Sequence, residues 1–227
     1  MKLFRLRQVW LPTVWSSLVL AGLLAALALA AMRQAYGFLA PNAPVGARVL
    51  VVEGWLPDDA LEQAAAEARS GAYERVLTTG GPVWGGCDCQ KERTYADWAR
   101  DSLVRAGVPE EKLVAIPAPA SAQDRSFLNA VMVREWLERE GRGFDAVDVF
   151  SGAVHGRRSW LLHRMALGPG VRVGIRSAAP TEYDPAAWWR TSAGAKEVLG
   201  ESIGWLWTEL FFHPGAPGSR EERWAVP

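Results

Sequence analysis

The segment Phe150-Ser151-Gly152-Ala153-Val154-His155-Gly156-Arg157-Arg158 gathers the groups best able to do chemistry. An apolar run ends, small residues turn the chain, and a histidine with two arginines opens what reads as a helix. Positive charge at a helix N-terminus opposes the macrodipole. A bound anion would offset that cost, held by unpaired backbone N–H groups and by bidentate arginine. His155 is then a candidate general acid–base, with Arg157 and Arg158 as a clamp and Ser151 at the strand end. Solvated arginines and a locally packed histidine fit the same residues.

Glu53 and Gly54 follow the apolar run Val49–Val52. A carboxylate in that position is expected to be partly buried, which would raise its pKa and suit it to acid–base work. Hydrogen bonding within the loop is the alternative role. Thr79-Gly80-Gly81 ends a second apolar run. Its glycines let the backbone approach a ligand closely, or simply make a tight turn. Asp124 reads as the N-cap of a helix that Arg125 and Ser126 open, with Asn129 one turn further on. Arg125 is placed to join an anion site. Tyr183, Trp188 and Trp189 form an aromatic patch, read either as core or as a stacking wall. Asp58 and Asp59 read as helix N-terminal charges.

These residues need a scaffold that brings distant loops together. From Arg48 onward apolar runs alternate with helical periodicity. Strands are expected at 49–52, 75–79, 112–116, 146–150 and 171–175. Helices are expected at about 58–69, from about Tyr95 to Gly107, and at about 126–140, 155–167 and 192–212. Such alternation predicts an α/β, Rossmann-like fold: a mostly parallel five-stranded sheet with helices on both faces. Ligands bind such sheets beyond the carboxyl ends of the strands, where the strand order reverses. The loops to inspect are therefore 53–59, 78–92, 117–126 and 151–158.

The order of these motifs resembles the YdcF/SanA/ElyC-like family, a bacterial envelope domain of unknown function. The matches are Gly54; Thr79, Gly80 and Gly81; Gly107-Val108-Pro109; Ser126 and Asn129; and Ser151, His155 and Arg158, within residues 48–178. His-x-x-Arg after the fourth strand is the most specific of them. The resemblance implies a Rossmann-type domain behind one membrane helix, tied to envelope integrity and cell-wall precursor metabolism. It brings no settled reaction, and it leaves the cofactor unknown: one cytoplasmic branch is reported to bind S-adenosylmethionine, which a domain outside the cytoplasm would hardly meet. Two departures matter. Tyr95 stands where many members carry a glutamate, and Leu128 stands where a second glutamate is common. Glu53, Glu92 and Asp124 are the nearby substitutes.

Residues 8–32 carry no charge. Roughly 20 apolar residues span a bilayer. Lys2, Arg5 and Arg7 precede this stretch and Arg33 follows it, which puts the N-terminus in the cytoplasm and the rest outside. The expected organisation is a cytoplasmic N-terminus at 1–8, a transmembrane anchor at 9–32, a linker at 33–47, the α/β domain at 48–212 and a disordered tail at 213–227. A cleaved signal peptide, with Ala26, Ala28 and Ala30 near the cut, is the alternative to the anchor. The expected place is therefore the bacterial plasma membrane.

A formal net charge of zero excludes nucleic-acid binding through bulk positive charge. Cys87 and Cys89 make no disulfide framework, and no further metal ligands show recognisable spacing beside them. Glu53-Gly54-Trp55-Leu56-Pro57 is no Gly-x-Gly-x-x-Gly loop, which disfavours a dinucleotide oxidoreductase. Trp205, Trp207, Phe211 and Phe212 are read as packed on the domain or touching the membrane interface. Two functions stay open: a hydrolase or transferase acting on an anionic or phosphate-bearing substrate such as a lipid-linked precursor, and a non-catalytic envelope protein that binds the same anion.

Overall fold

The computed structural model describes residues 10, 12–71, 73–83, 93–121, 124–219 and 222. The chain divides into two units, Met1–Ala35 and Tyr36–Pro227. Helix α1 (Val14–Leu39) makes up most of the first, and it is long and apolar enough to cross a membrane. Lys2, Arg5 and Arg7, on which the expected orientation rests, lie outside the described residues.

The second unit is built on β1 (Val49–Glu53), β2 (Arg75–Gly80), β3 (Leu113–Pro117), β4 (Ala146–Ser151) and β5 (Arg172–Ser177). All neighbours pair in parallel, in the order β3-β2-β1-β4-β5. This is the α/β, Rossmann-like arrangement expected from the alternation. The central strands β1 and β4 are buried along their whole length, which explains why Val49–Val52 of β1 reads as a continuous rather than an alternating apolar run.

Helices cover both faces. On one, Leu61, Ala64 and Ala65 of α2 (Asp58–Ser70) and Ala99 and Leu103 of α3 (Tyr95–Arg105) pack on Leu50, Val52 and Val76. On the other, Val133, Trp136 and Leu137 of α4 (Arg125–Arg139) and Leu167 of α5 (Gly156–Leu167) pack on Val49, Val51, Val147 and Val149. The chain closes with α6 (Ser192–Phe211).

Two expected boundaries are corrected. The segment 33–47 is no free linker. Helix α1 runs on to a buried Leu39, and Ala43 forms an antiparallel bridge with Ile175 of β5. The cause is Asp148, a buried carboxylate on β4. It accepts the backbone N–H of Val45 at 2.7 Å and of Ala47 at 3.0 Å, and so holds the incoming chain on the sheet. The tail is also partly ordered. Glu222 is buried and takes a bidentate bond from Arg134 of α4, at 2.6 and 2.9 Å.

Candidate functional site

Because the strands are parallel, the loops after β1, β2, β3 and β4 emerge on one edge of the sheet. They enclose a cavity of about 430 Å³. Trp55 follows β1, Gly80, Gly81 and Pro82 follow β2, Ala118 and Pro119 follow β3, and His155 follows β4. This is the crevice that the order reversal at β1 and β4 predicts.

His155 is the centre of the arrangement. It is nearly buried, and Trp55 packs edge-on against its ring with the centroids 5.0 Å apart. Its Nε2 is 3.5 Å from the Ser126 hydroxyl. Its Nδ1 is 3.1 Å from Glu201 Oε1, a carboxylate carried by α6. Arg158 lies one helical turn beyond His155 and donates from Nε and Nη2 to the two oxygens of Glu201, both at 2.9 Å. Burial pushes the Glu201 carboxyl up, but hydrogen bonds from His155 and Arg158 outweigh it and hold the group down to about 2. Glu201 is therefore an anion at neutral pH. Arg158 Nη2 also comes within 3.0 Å of His155 Nδ1. With a proton on Nδ1 both groups are donors, and Glu201 accepts from each.

Behind the histidine lies a second carboxylate. Glu53 is fully buried and does not line the cavity. Its oxygens accept the hydroxyls of Ser151 and Ser159, each at 2.6 Å, and Oε1 stands 4.0 Å from His155 Nε2. Ser159 also presents its carbonyl to His163 Nδ1 at 2.9 Å. Burial lowers the His163 pKa, so this imidazole is neutral, with a proton on Nδ1.

Helix α4 supplies the opposite wall. Asp124 occupies its N-cap position in the left-handed region at φ 51°, yet its side chain makes no cap bond. Burial raises its pKa, opposed by the charge of Arg158. The amides of the first turn are thus left without a side-chain cap, beside Arg125 and Ser126 on the cavity wall. Asn129, one turn on, is buried, and its Oδ1 has no hydrogen-bond partner among the described residues. It lines the cavity, as do Leu128 and Tyr95 where the resembled family carries glutamates.

Of the residues proposed from sequence, Gly80, Gly81, Arg125, Ser126, Asn129, His155 and Arg158 meet at this cavity. Gly54, Thr79, Ser151 and Arg157 do not line it. Arg157 is directed elsewhere: its Nε donates to the Phe38 carbonyl at 2.7 Å, and its guanidinium lies over the Phe38 ring. Adjacent helical residues point about 100° apart, so Arg157 cannot share the face of His155 and Arg158. Thr79 is buried within the sheet. Gly54 and Gly80 are needed for the close packing of α3, and Gly80 also lines the cavity. A Cβ on Gly54 would stand 2.3 Å from the Tyr95 carbonyl oxygen, and one on Gly80 would stand 2.5 Å from Tyr95 Cβ. Tyr183 and Trp188 are buried. Cys87, Cys89 and Glu92 lie outside the described residues.

No family model and no curated protein matches the sequence.

A second cavity of about 350 Å³ borders the first and shares Trp55, His155 and Glu201 with it. Ala60, Val154, Ala178 and Pro180 give it an apolar lining, closed by Tyr183. Space is thus available on both sides of the histidine. Among the described residues no group of three or more His, Cys, Asp or Glu side chains is arranged to hold a metal ion. The residues missed from sequence are Glu201, Ser159, His163, Trp55 and Tyr95. For Glu201 one signal existed: a lone carboxylate within the apolar stretch from Val198 to Ile203.

Proposed function

We propose that this chain is a membrane-anchored hydrolase or transferase in which Ser126, His155 and Glu201 act as nucleophile, base and orienting carboxylate. The observation that carries the reading is the placement of the two ring nitrogens of one histidine, Nδ1 at 3.1 Å from Glu201 and Nε2 at 3.5 Å from Ser126 Oγ, at the wall of a cavity. Nucleophile, base and orienter in line are the general signature of an activated hydroxyl, and the hydroxyl–imidazole bond is commonly long in unliganded sites.

In this reading Glu201 fixes the proton of neutral His155 on Nδ1 and leaves the Nε2 lone pair toward Ser126. The hydroxyl oxygen attacks the carbonyl carbon or phosphorus of an ester as its proton passes to Nε2. The bond to the leaving oxygen breaks, and that oxygen takes the proton from Nε2. Water, or an acceptor hydroxyl, then attacks the serine ester with the same base and restores Ser126. The uncapped first turn of α4 supplies amides toward the oxygen that becomes negative.

The charge of the cavity limits the substrate. Arg158 is neutralised by Glu201, so among the described residues lining the cavity Arg125 is the cation left to meet an anion. A substrate with one acidic group suits this better than a polyphosphate. Asn129 Oδ1 would accept a hydrogen bond from a hydroxyl or amide of that substrate. The resemblance to the YdcF/SanA/ElyC-like domain, together with α1 as an anchor, supports a place in the bacterial envelope with this domain outside the cytoplasm.

The test is labelling of the full-length protein with a fluorophosphonate, read by intact mass and by mapping of the adduct. The expected result is one adduct on Ser126, absent in Ser126→Ala and strongly slowed in His155→Ala and Glu201→Gln. Absence of an adduct, or one whose rate ignores His155→Ala, overturns the catalytic reading. Saturable binding of an acidic sugar without any adduct would instead favour the non-catalytic binding protein.

A further inference from the structure

The outer face of α6 carries a stripe that the domain does not use. Leu199, Ile203, Leu206, Trp207, Leu210 and Phe211 recur at helical spacing and are all exposed, Ile203 at 71% and Phe211 at 65%. The opposite face does the packing: Gly194, Val198 and Thr208 are buried there, and Glu201 is turned to His155 and Arg158. A surface helix normally presents charge on its outer side. An exposed apolar stripe of this size on a single chain marks an interaction surface.

We propose that α6 lies in the plane of the membrane surface, with this stripe in the headgroup region of the bilayer. The proposal rests on the reading of α1 as the anchor. Two observations select lipid as the occupant. The first is continuity with α1. That helix runs unbroken from Val14 to Leu39, and Phe38 near its end packs edge-on against Trp205 of α6, with the rings 4.8 Å apart. Phe38 is five residues beyond Arg33, the charge that ends the apolar span, which is about 8 Å of helix. The first residues of the second unit, which follow the apolar span in sequence, are thereby fastened to α6. The second observation is composition. Trp, Phe, Leu and Ile on one face with the charges kept off it is the pattern of an interfacial helix. Of the charged residues of α6, Glu201 faces inward, Lys196 and Glu197 precede the stripe, and Glu209 is the remaining one. The helix carries a net negative charge, so apolar burial and not attraction to anionic lipid drives the contact.

A consequence follows for the proposed enzyme. Glu201 lies on the inner face of the helix whose outer face meets lipid. The reacting histidine then stands about one helix diameter, roughly 10 Å, above the headgroups. That height suits a substrate whose acidic head enters the cavity while an acyl or prenyl tail stays in the membrane.

The experiment uses the full chain in phosphatidylcholine vesicles. In a Cys87→Ser, Cys89→Ser background, nitroxide labels are placed singly at Ile203→Cys, Leu210→Cys, Glu62→Cys and Leu24→Cys. Power saturation compares access to oxygen, which concentrates in lipid, with access to a water-soluble nickel chelate. The expected result is several-fold preference for oxygen at 203, 210 and 24 and for nickel at 62, unchanged when anionic lipid is added. Nickel access at 203 and 210 equal to that at 62, with 24 still in lipid, overturns the α6 proposal alone. Nickel access at 24 as well removes the anchor and the proposal together. Strong dipolar coupling between labels at 210 would show a second copy on the stripe and overturn the lipid assignment.

Discussion

Replacing Glu201 by glutamine keeps the shape of the side chain and removes its charge. In the native protein the carboxyl is held from an ordinary 4.5 down to about 2, because His155 and Arg158 both donate to it. A group whose folded pKa is depressed contributes stability above its unfolded pKa and loses it as pH falls through the folded one. A carboxyl moved from 4.5 to about 2 contributes about 3 kcal/mol at neutral pH, and only about 1 kcal/mol of that is left at pH 3. Glutamine cannot titrate. The expected result is therefore a Glu201→Gln protein about 3 kcal/mol less stable than wild type at pH 7, with the gap narrowing by about 2 kcal/mol by pH 3. Urea denaturation of the full chain in a neutral detergent at pH 7, 5, 4 and 3 measures it. The difference between the two proteins cancels the other carboxylates, which titrate in both. A gap that stays constant across the series would refute the charge-assisted link between Glu201, His155 and Arg158, and with it the fixed tautomer that the reaction needs.

Asp148→Asn leaves one of the Val45 and Ala47 amides without an acceptor, so a loss of about 1–3 kcal/mol in urea midpoint experiments is expected. Gly54→Ala drives a Cβ against the Tyr95 carbonyl and is expected to cost about 3 kcal/mol or more, whereas Gly81→Ala, with its nearest contacts at 3.5 Å, stays within about 0.5 kcal/mol. Equal tolerance at both positions would show that the close approach of α3 is relieved more easily than the geometry implies. If inorganic phosphate protects Ser126 from the fluorophosphonate, Arg125→Ala weakens that protection by about tenfold, the worth of one charge-assisted bond, while Arg157→Ala leaves it unchanged. Ser159→Ala frees Glu53 Oε1, which then competes for the proton on His155 and slows labelling of Ser126; nitrogen shifts of the His155 ring in a labelled sample report the change of tautomer.

Much of the scaffold was legible because burial on both faces leaves one signature. Val49–Val52 reads as an uninterrupted apolar run and forms the central strand of the parallel sheet, while Ala146–Phe150 is apolar except for Asp148 and forms the strand beside it. His155 and Arg158 were rightly paired, since residues three apart share a helix face, whereas Arg157 was included only for its charge and its closeness in sequence. Asp148 could have corrected the linker. A carboxylate inside a strand buried on both sides needs donors, and the segment just before β1 brings them through the Val45 and Ala47 amides. The two glycine motifs stay ambiguous for a related reason: a glycine reports that something comes close, and sequence alone does not say whether ligand or backbone does. At Gly54 and Gly80 backbone and side chain of Tyr95 come close, while Gly80 and Gly81 also line the cavity.

Helix α6 shows where periodicity stops being informative. Of its apolar residues Val198, Leu199, Ile203, Leu206, Trp207 and Leu210, Val198 packs inward and the others point out. When both sides of a helix are apolar, the phase of the pattern no longer marks which side is the core, because the hydrophobic effect is non-directional. The discriminating residue was polar. Glu201 cannot be left in an apolar contact without partners, so the side that carries it must meet a histidine or an arginine. That requirement turns α6 so that its carboxylate completes the His155 site, and it obliges the remaining apolar residues to face outward. The His155–Glu201 geometry and the exposed stripe are thus two results of one rotation of the helix, and the proposed bilayer against the stripe would remove the cost of that rotation in water.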